Sequence, residues 1–310
     1  MHRKDEVKPQ GNQVLSCKRN IELRGNLYHG FLMSHVDFPS TQLARLRWAG
    51  DVVFGGYGAR IGARFTEGKL GAELALRPSP GTSLAAPGKV DRMLSIFRSD
   101  SRYWIYADDE MKCQPVLRAD LLDAFDTHLR AAFAEFSRKK LFVHAGAVGW
   151  KGKAIIFPGK SRAGKTTLIA ELVKAGATYF SDEFAVLDGN GAVHPFAKPL
   201  SIRETRTSRQ IETPVEKLGG IAARKPLPVG LVVMTEYRDG GHWKPKTLTP
   251  AGGALEIIAH TIAARRWPAL ALSVIGAVVD RAPVIRSDRG DARMLVGKLL
   301  SALEDTANHG

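Results

Sequence analysis

The chain has 310 residues, 44% of them hydrophobic, enough to bury a full core and form one large domain or two modest ones. It carries 45 basic against 31 acidic side chains, a net charge of +14, but the basic residues are spread out and no zinc-finger spacing, RNP motif or arginine-rich tract gathers them. That distribution argues against a nucleic-acid partner and for a solvated basic surface that attracts anionic ligands. Cys17 and Cys113 stand far apart, in neither a metal-ligand spacing nor a disulfide framework. The opening Met1-His2-Arg3-Lys4-Asp5-Glu6 lacks the apolar stretch of a signal peptide, and the longest apolar run, 269–279, is too short to span a bilayer. A cytoplasmic protein without membrane association is expected.

Residues 1–20 are polar and aperiodic and read as a flexible lead-in. Residues 21–116 predict a β-rich accessory region. Within it, 43–49 and 59–65 alternate about a Gly55-Gly56-Tyr57-Gly58 turn, 78–88 is a loop, and 102–106 is a strand ending in a solvated Asp108-Asp109-Glu110 turn. The stretch 117–140 predicts a long helix whose basic end, Arg138-Lys139-Lys140, suits the helix dipole. It opens a nucleotide-binding core, 117–310.

The core is organised around Gly159-Lys160-Ser161-Arg162-Ala163-Gly164-Lys165-Thr166, which reads G-x-x-x-x-G-K-[ST], a phosphate-binding P-loop. A β-prone run, 153–157, precedes it, delivered by a hairpin from 141–150. A helix face with apolar residues at 168, 169, 172 and 173 follows and stops at Gly176. Glycines let successive N–H groups turn toward phosphate oxygens, and the helix N-terminus adds partial positive charge. ATP is therefore the expected ligand of 159–166 together with Thr167. Lys165 would reach the β- and γ-phosphates, and the Thr166 hydroxyl would take a position on Mg²⁺. Further on, 204–228 is basic, with Gly219-Gly220 and prolines, and reads as a mobile loop that could cover an acceptor. The run 231–234 is a buried strand, and helices are expected over 249–266, 269–279 and 290–305, the first capped by Thr249-Pro250. Arg224, Lys225, Arg265 and Arg266 read as solvated or structural charges rather than phosphate clamps.

Phosphoryl transfer needs a carboxylate on the metal and often a second for the proton. Asp182-Glu183 ends the β-prone run 178–181 and supplies both. Adjacent strand residues face opposite ways, so the two carboxylates should have different partners. Asp182 stands only 16 residues past Thr166, room for one helix and one turn. That short spacing resembles the HPr kinase/phosphorylase family and its phosphoenolpyruvate-carboxykinase-like fold, in which a P-loop helix leads at once into a strand ending in two acids. The family's histidine before the P-loop strand is matched by His144, 22 residues before Thr166. The resemblance covers roughly 141–205 and implies a mixed α/β P-loop kinase core. It implies that Asp182 takes the proton of the acceptor hydroxyl with His144 in support, and that Glu183 and Thr166 hold the metal.

Two departures are visible. Where the family has a Glu two residues before an Arg, this chain has Ser201 before Arg203, with Glu204 as a substitute ligand. The family's glycine-rich segment is replaced by Glu204-Thr205-Arg206, which argues against HPr as the substrate. The expected function is a Mg²⁺-assisted, ATP-dependent kinase acting on a hydroxyl, foremost a serine of a peptide or protein such as a modified-peptide precursor. The alternatives are a kinase of a small-molecule hydroxyl and an ATP-binding switch with little catalysis. A homo-oligomer is possible.

Overall fold

The computed structural model describes residues 40–99, 101–160, 163–203 and 211–308. The lead-in 1–20, Ser161 and Arg162 of the P-loop, and Glu204 lie outside them. The chain divides into two compact units, one comprising 1–53, 61–77 and 86–129, the other 54–60, 78–85 and 130–310. No helix among the described residues is long and apolar enough to cross a membrane.

The N-terminal elements are α1 (Ser40–Leu43), β1 (Gly50–Gly56), β2 (Ala59–Phe65), α2 (Gly68–Ala75), β3 (Ser83–Ala85), β4 (Arg92–Ser99), β5 (Arg102–Ala107) and β6 (Glu110–Cys113). They build a six-stranded sheet in the order β3-β1-β2-β4-β5-β6. Six strands stand among the described residues of 21–116, with two helices besides. The alternation over 43–49 does not make a strand; α1 and a turn stand there. Residues 68–75 are helical, carrying the chain across to a parallel β2–β4 pairing that no hairpin could make. Tyr57 and Gly58, both at positive φ, close the predicted turn in the backbone that two-residue hairpins favour. Asp108, also at positive φ, turns β5 into β6 and pairs with Arg92 at 3.2 Å.

The helix α3 (Arg118–Phe136) leads into the second unit. There follow β7 (Leu141–Trp150), β8 (Lys153–Pro158), α4 (Lys165–Lys174), β9 (Thr178–Ser181), β10 (Phe184–Leu187), β11 (Ala192–His194), β12 (Leu200–Ile202), β13 (Ile211–Thr213), a 3₁₀ turn (Val215–Leu218), β14 (Leu227–Tyr237), β15 (Lys246–Thr247), α5 (Pro250–Ala259), α6 (Pro268–Val279), β16 (Val284–Arg289) and α7 (Arg293–Asn308). The main sheet runs β11-β10-β7-β8-β14-β16-β15, with β9 also paired to β7. β8 is antiparallel to β7 across a Lys151-Gly152 turn at positive φ, and parallel to β14, which is parallel to β16. Both faces of this sheet are covered, so its strands read as apolar runs. Ile155, Phe157, Leu231 and Val233 point to the side packed by α4 and α7, and Ala154, Ile156, Val232 and Met234 to the side packed by α5 and α6.

Two expectations need correction, and one strand was not expected. The helix expected over 249–266 stops at Ala259 because the chain turns to pair with β7: His260 O accepts from His144 N at 2.8 Å, and Thr261 bridges Val143. Its start is as expected, with the Thr249 hydroxyl accepting from Gly252 N at 3.1 Å. The basic stretch 204–228 is not loop throughout, since β13 pairs with β12 and Val215 is buried in the core. Finally, β16 escaped notice because Arg286, Ser287, Asp288 and Arg289 make four of its six residues polar. Phe142, fully buried, meets Tyr57, Phe184 and Phe196 edge-on at centroid distances of 5.0, 5.7 and 5.8 Å. We expect Phe142→Ala to lose about 3–5 kcal/mol in urea unfolding, while the exposed Leu272→Ala changes stability by less than about 0.5 kcal/mol.

Candidate functional site

The site forms where β7 meets two chains along one edge. β10 pairs with its first residues and β9 with its later ones, Phe184 opposite His144 and Ala147 opposite Ser181. Between those registers the ladder breaks, and Asp182-Glu183 occupies the gap. The Ser181 hydroxyl holds it, accepting from the amides of Glu183 and Phe184, each at 3.0 Å, while Glu183 O accepts from Ala145 N at 3.1 Å. The acids therefore stand in a break between strands, not on a strand with opposed faces, because the serine satisfies amides that would otherwise join the ladder. On the other edge of β7, β8 carries the P-loop, and Gly159 N donates to His144 O at 3.2 Å. One strand thus positions both the loop and the acids.

The loop enters α4 at Gly164, whose φ of +80 suits glycine, and no side chain caps the helix start. The first amides of α4 have no partner within the helix and are directed toward the loop. The Lys165 ammonium, largely buried, donates to Gly159 O and Lys160 O, both at 2.7 Å. Burial pulls its pKa down to about 8, opposed by Asp182 and Glu183.

Asp182 is 6% exposed and engaged on both oxygens. Oδ2 accepts from the Thr166 hydroxyl at 3.1 Å and from Ser201 N at 3.2 Å. Oδ1 lies 3.0 Å from the Lys198 ammonium and 3.0 Å from the Tyr179 hydroxyl, which also stands 2.9 Å from Lys198 O. Burial alone would raise the carboxyl, but Lys198, with the amide and hydroxyl donors, holds it below the ordinary carboxylate range. The Lys198 ammonium also reaches Glu183 at 3.8 Å, and Glu183 Oε2 is bound by Arg130 Nε at 2.9 Å. The His144 ring is pushed to a pKa of about 3 by burial, then by Lys165 and His260, so it is neutral at physiological pH.

The structure brings together Thr166, Lys165, Asp182, Glu183 and the backbone of His144, all expected from sequence. It differs in pairing. The Thr166 hydroxyl is bonded to Asp182, whereas the resemblance placed Thr166 with Glu183 on the metal. Among the described residues, the partners of Asp182 do not include His144, whose ring lies by Phe184 at 6.2 Å. Sequence reasoning missed Lys198, Arg130 and Tyr179; Lys198-Pro199, just before β12, offered only a lone cation as signal. Arg266 is structural, paired with Glu135 at 2.9 Å and set over Phe136.

Mg²⁺ asks for oxygen ligands, commonly one or two protein groups beside phosphate and water. Thr166 Oγ1 beside Asp182 Oδ2 is such a pair and fits. Among the described residues no three His, Cys, Asp or Glu side chains gather as a fuller metal cage would require. No protein-family model and no curated protein matches the chain. Among solved structures it is similar to the HPr(Ser) kinase/phosphatase from Coxiella burnetii, at 13% identity and a TM-score of 0.32, over 55% of this chain and 99% of that one. A likeness that loose assigns no residue a role.

Two measurements follow from the geometry. The neutral His144 binds its proton far less readily folded than unfolded, so its contribution to stability is whole above about pH 6.5 and lost as pH falls toward 3. Urea unfolding should show a loss on the order of 1–2 kcal/mol between pH 6.5 and 5 that is smaller in His144→Gln. Lys198→Met leaves Asp182 buried without its cation and should cost about 3–5 kcal/mol at pH 7; an unchanged unfolding midpoint would refute the pairing.

Proposed function

We propose that this chain is an ATP-dependent phosphotransferase that passes the γ-phosphoryl group to a hydroxyl, specifically a serine of a peptide or protein. One observation carries the reading. A G-x-x-x-x-G-K-T loop runs from a buried strand, β8, into an uncapped helix start, and the hydroxyl of its Thr166 is bonded to a buried carboxylate, Asp182. The amides at the start of α4 bind the β- and γ-phosphates, and Lys165 exchanges its two loop carbonyls for phosphate oxygens. Thr166 Oγ1 and Asp182 Oδ2 would hold Mg²⁺, which would offset the negative charge of the phosphates.

The proton is assigned differently from the resemblance. Asp182, kept anionic by Lys198, suits the metal better than a proton. Glu183, less buried and held by Arg130, receives the proton of the acceptor hydroxyl. The hydroxyl oxygen then attacks the γ-phosphorus in line, the bond to the β,γ-bridging oxygen breaks, and ADP departs. The serine acceptor rests on the sequence resemblance, and the chain's excess of basic side chains favours an acidic segment around it.

Transfer of label from γ-labelled ATP to peptide acceptors, with Mg²⁺ titrated, tests these roles. Glu183→Gln should lower kcat by about 10²–10⁴ with ATP binding retained, while Asp182→Asn should weaken Mg²⁺-dependent ATP binding itself. If Asp182→Asn abolishes turnover with Mg²⁺-dependent binding intact, Asp182 is the proton acceptor instead. Phosphate release with no labelled acceptor would point to an ATP-driven switch. Because Lys165 must be charged to hold phosphate, ATP affinity should fall as pH rises through about 8.

A further inference from the structure

Beside the P-loop, at the C-terminal ends of the parallel strands β14 and β16, lies a cavity of about 200 Å³. Ligands of open α/β sheets bind outside such strand ends. One wall is Arg289, the last residue of β16. It is 2% exposed, its Nη2 donates to Gly164 O at 2.8 Å and its Nη1 to Gly290 O at 3.1 Å. Its Nε is buried and has no hydrogen-bond partner among the described residues. A buried donor left unmatched is costly, and here it belongs to a side chain that touches the phosphate loop and lines the cavity. Around it stand the half-buried Trp243, the apolar side chains of Leu295 and Met294, and the charged Lys298 and Asp291. Gly241 and Gly290 meet backbone to backbone: a Cβ on Gly290 would lie 2.8 Å from Gly241 O, so neither can fill the space with a side chain.

Resting on the ATP reading above, we propose that this cavity receives the purine base of the nucleotide. The phosphates are fixed at the start of α4, and the guanidinium of Arg289 spans from Gly164 to the cavity wall. Arginine donates and never accepts, so the group it meets must present acceptor lone pairs, as purine ring nitrogens do. A flat π-face suits Trp243, and the volume admits a single base with little room to spare. Arg289 thereby reads the base at one end and braces the phosphate loop at the other.

Calorimetric titration of wild type and Trp243→Ala with Mg-ATP and with inorganic tripolyphosphate separates base from phosphate. We expect the dissociation constant for ATP to rise roughly ten- to a hundredfold in the variant, the loss typical of removing a stacking aromatic, with tripolyphosphate unaffected. Trp243 also packs against the core, so photolabelling of wild type with 8-azido-ATP provides a second readout independent of the variant's folding. Label on 241–243 or 289–298 supports the proposal. Label confined to other segments, or equal wild-type affinity for ATP and tripolyphosphate, overturns it. If wild type binds neither compound, the P-loop reading itself is wrong.

Discussion

A carboxylate nearly sealed from water stays charged only if the protein replaces what the water supplied. Around Asp182 that replacement is complete: a Lys198 ammonium and a Tyr179 hydroxyl on one oxygen, a Thr166 hydroxyl and a Ser201 amide on the other. Each donor arrives from a different element, α4, β9, β12 or the segment before it. Losing the carboxylate would take the acceptor from the Thr166 hydroxyl and the Ser201 amide, and losing Lys198 would leave a buried charge without its paired cation. Much of the local architecture, from the P-loop helix to the short β12, is thus tied to one acidic group. That group also fixes the distance between the phosphate loop and the break that carries Glu183.

What the sequence revealed of this arrangement was local. The P-loop, its strand and its helix announce themselves over some twenty consecutive residues, because turn chemistry and helical periodicity are short-range properties. The hairpin from β7 to β8 was legible for the same reason. The acid pair was visible as residues but not as geometry. Nothing in Ser181-Asp182-Glu183 says that a serine will cap two amides and open the ladder, so a continuous strand was the simpler expectation.

The partners that decide the electrostatics were hidden for a different reason. Lys198, Arg130 and Arg289 come from a connecting segment, a helix and a strand end, and each becomes informative only beside what it touches. Lone cations in a chain with 45 basic residues carry no signal of their own. β16 was lost because its four polar residues face solvent, a neighbour's backbone or the cavity instead of forming an apolar run. The α5 terminus moved for the sake of a non-local pairing with β7, which overrides helix propensity.

β7 carries the P-loop strand on one edge and the acid break on the other, and this restricts how the site can vary. Its side chains can be exchanged one for one as long as they fill the same space. Its length between Ala145 and Ala147 cannot change by a single residue, since a slip of one inverts every inward and outward position that follows. The backbone of this strand works as a ruler between the P-loop and the acids. The gap it sets is held by peptide geometry, while the side chains around it remain free to diverge.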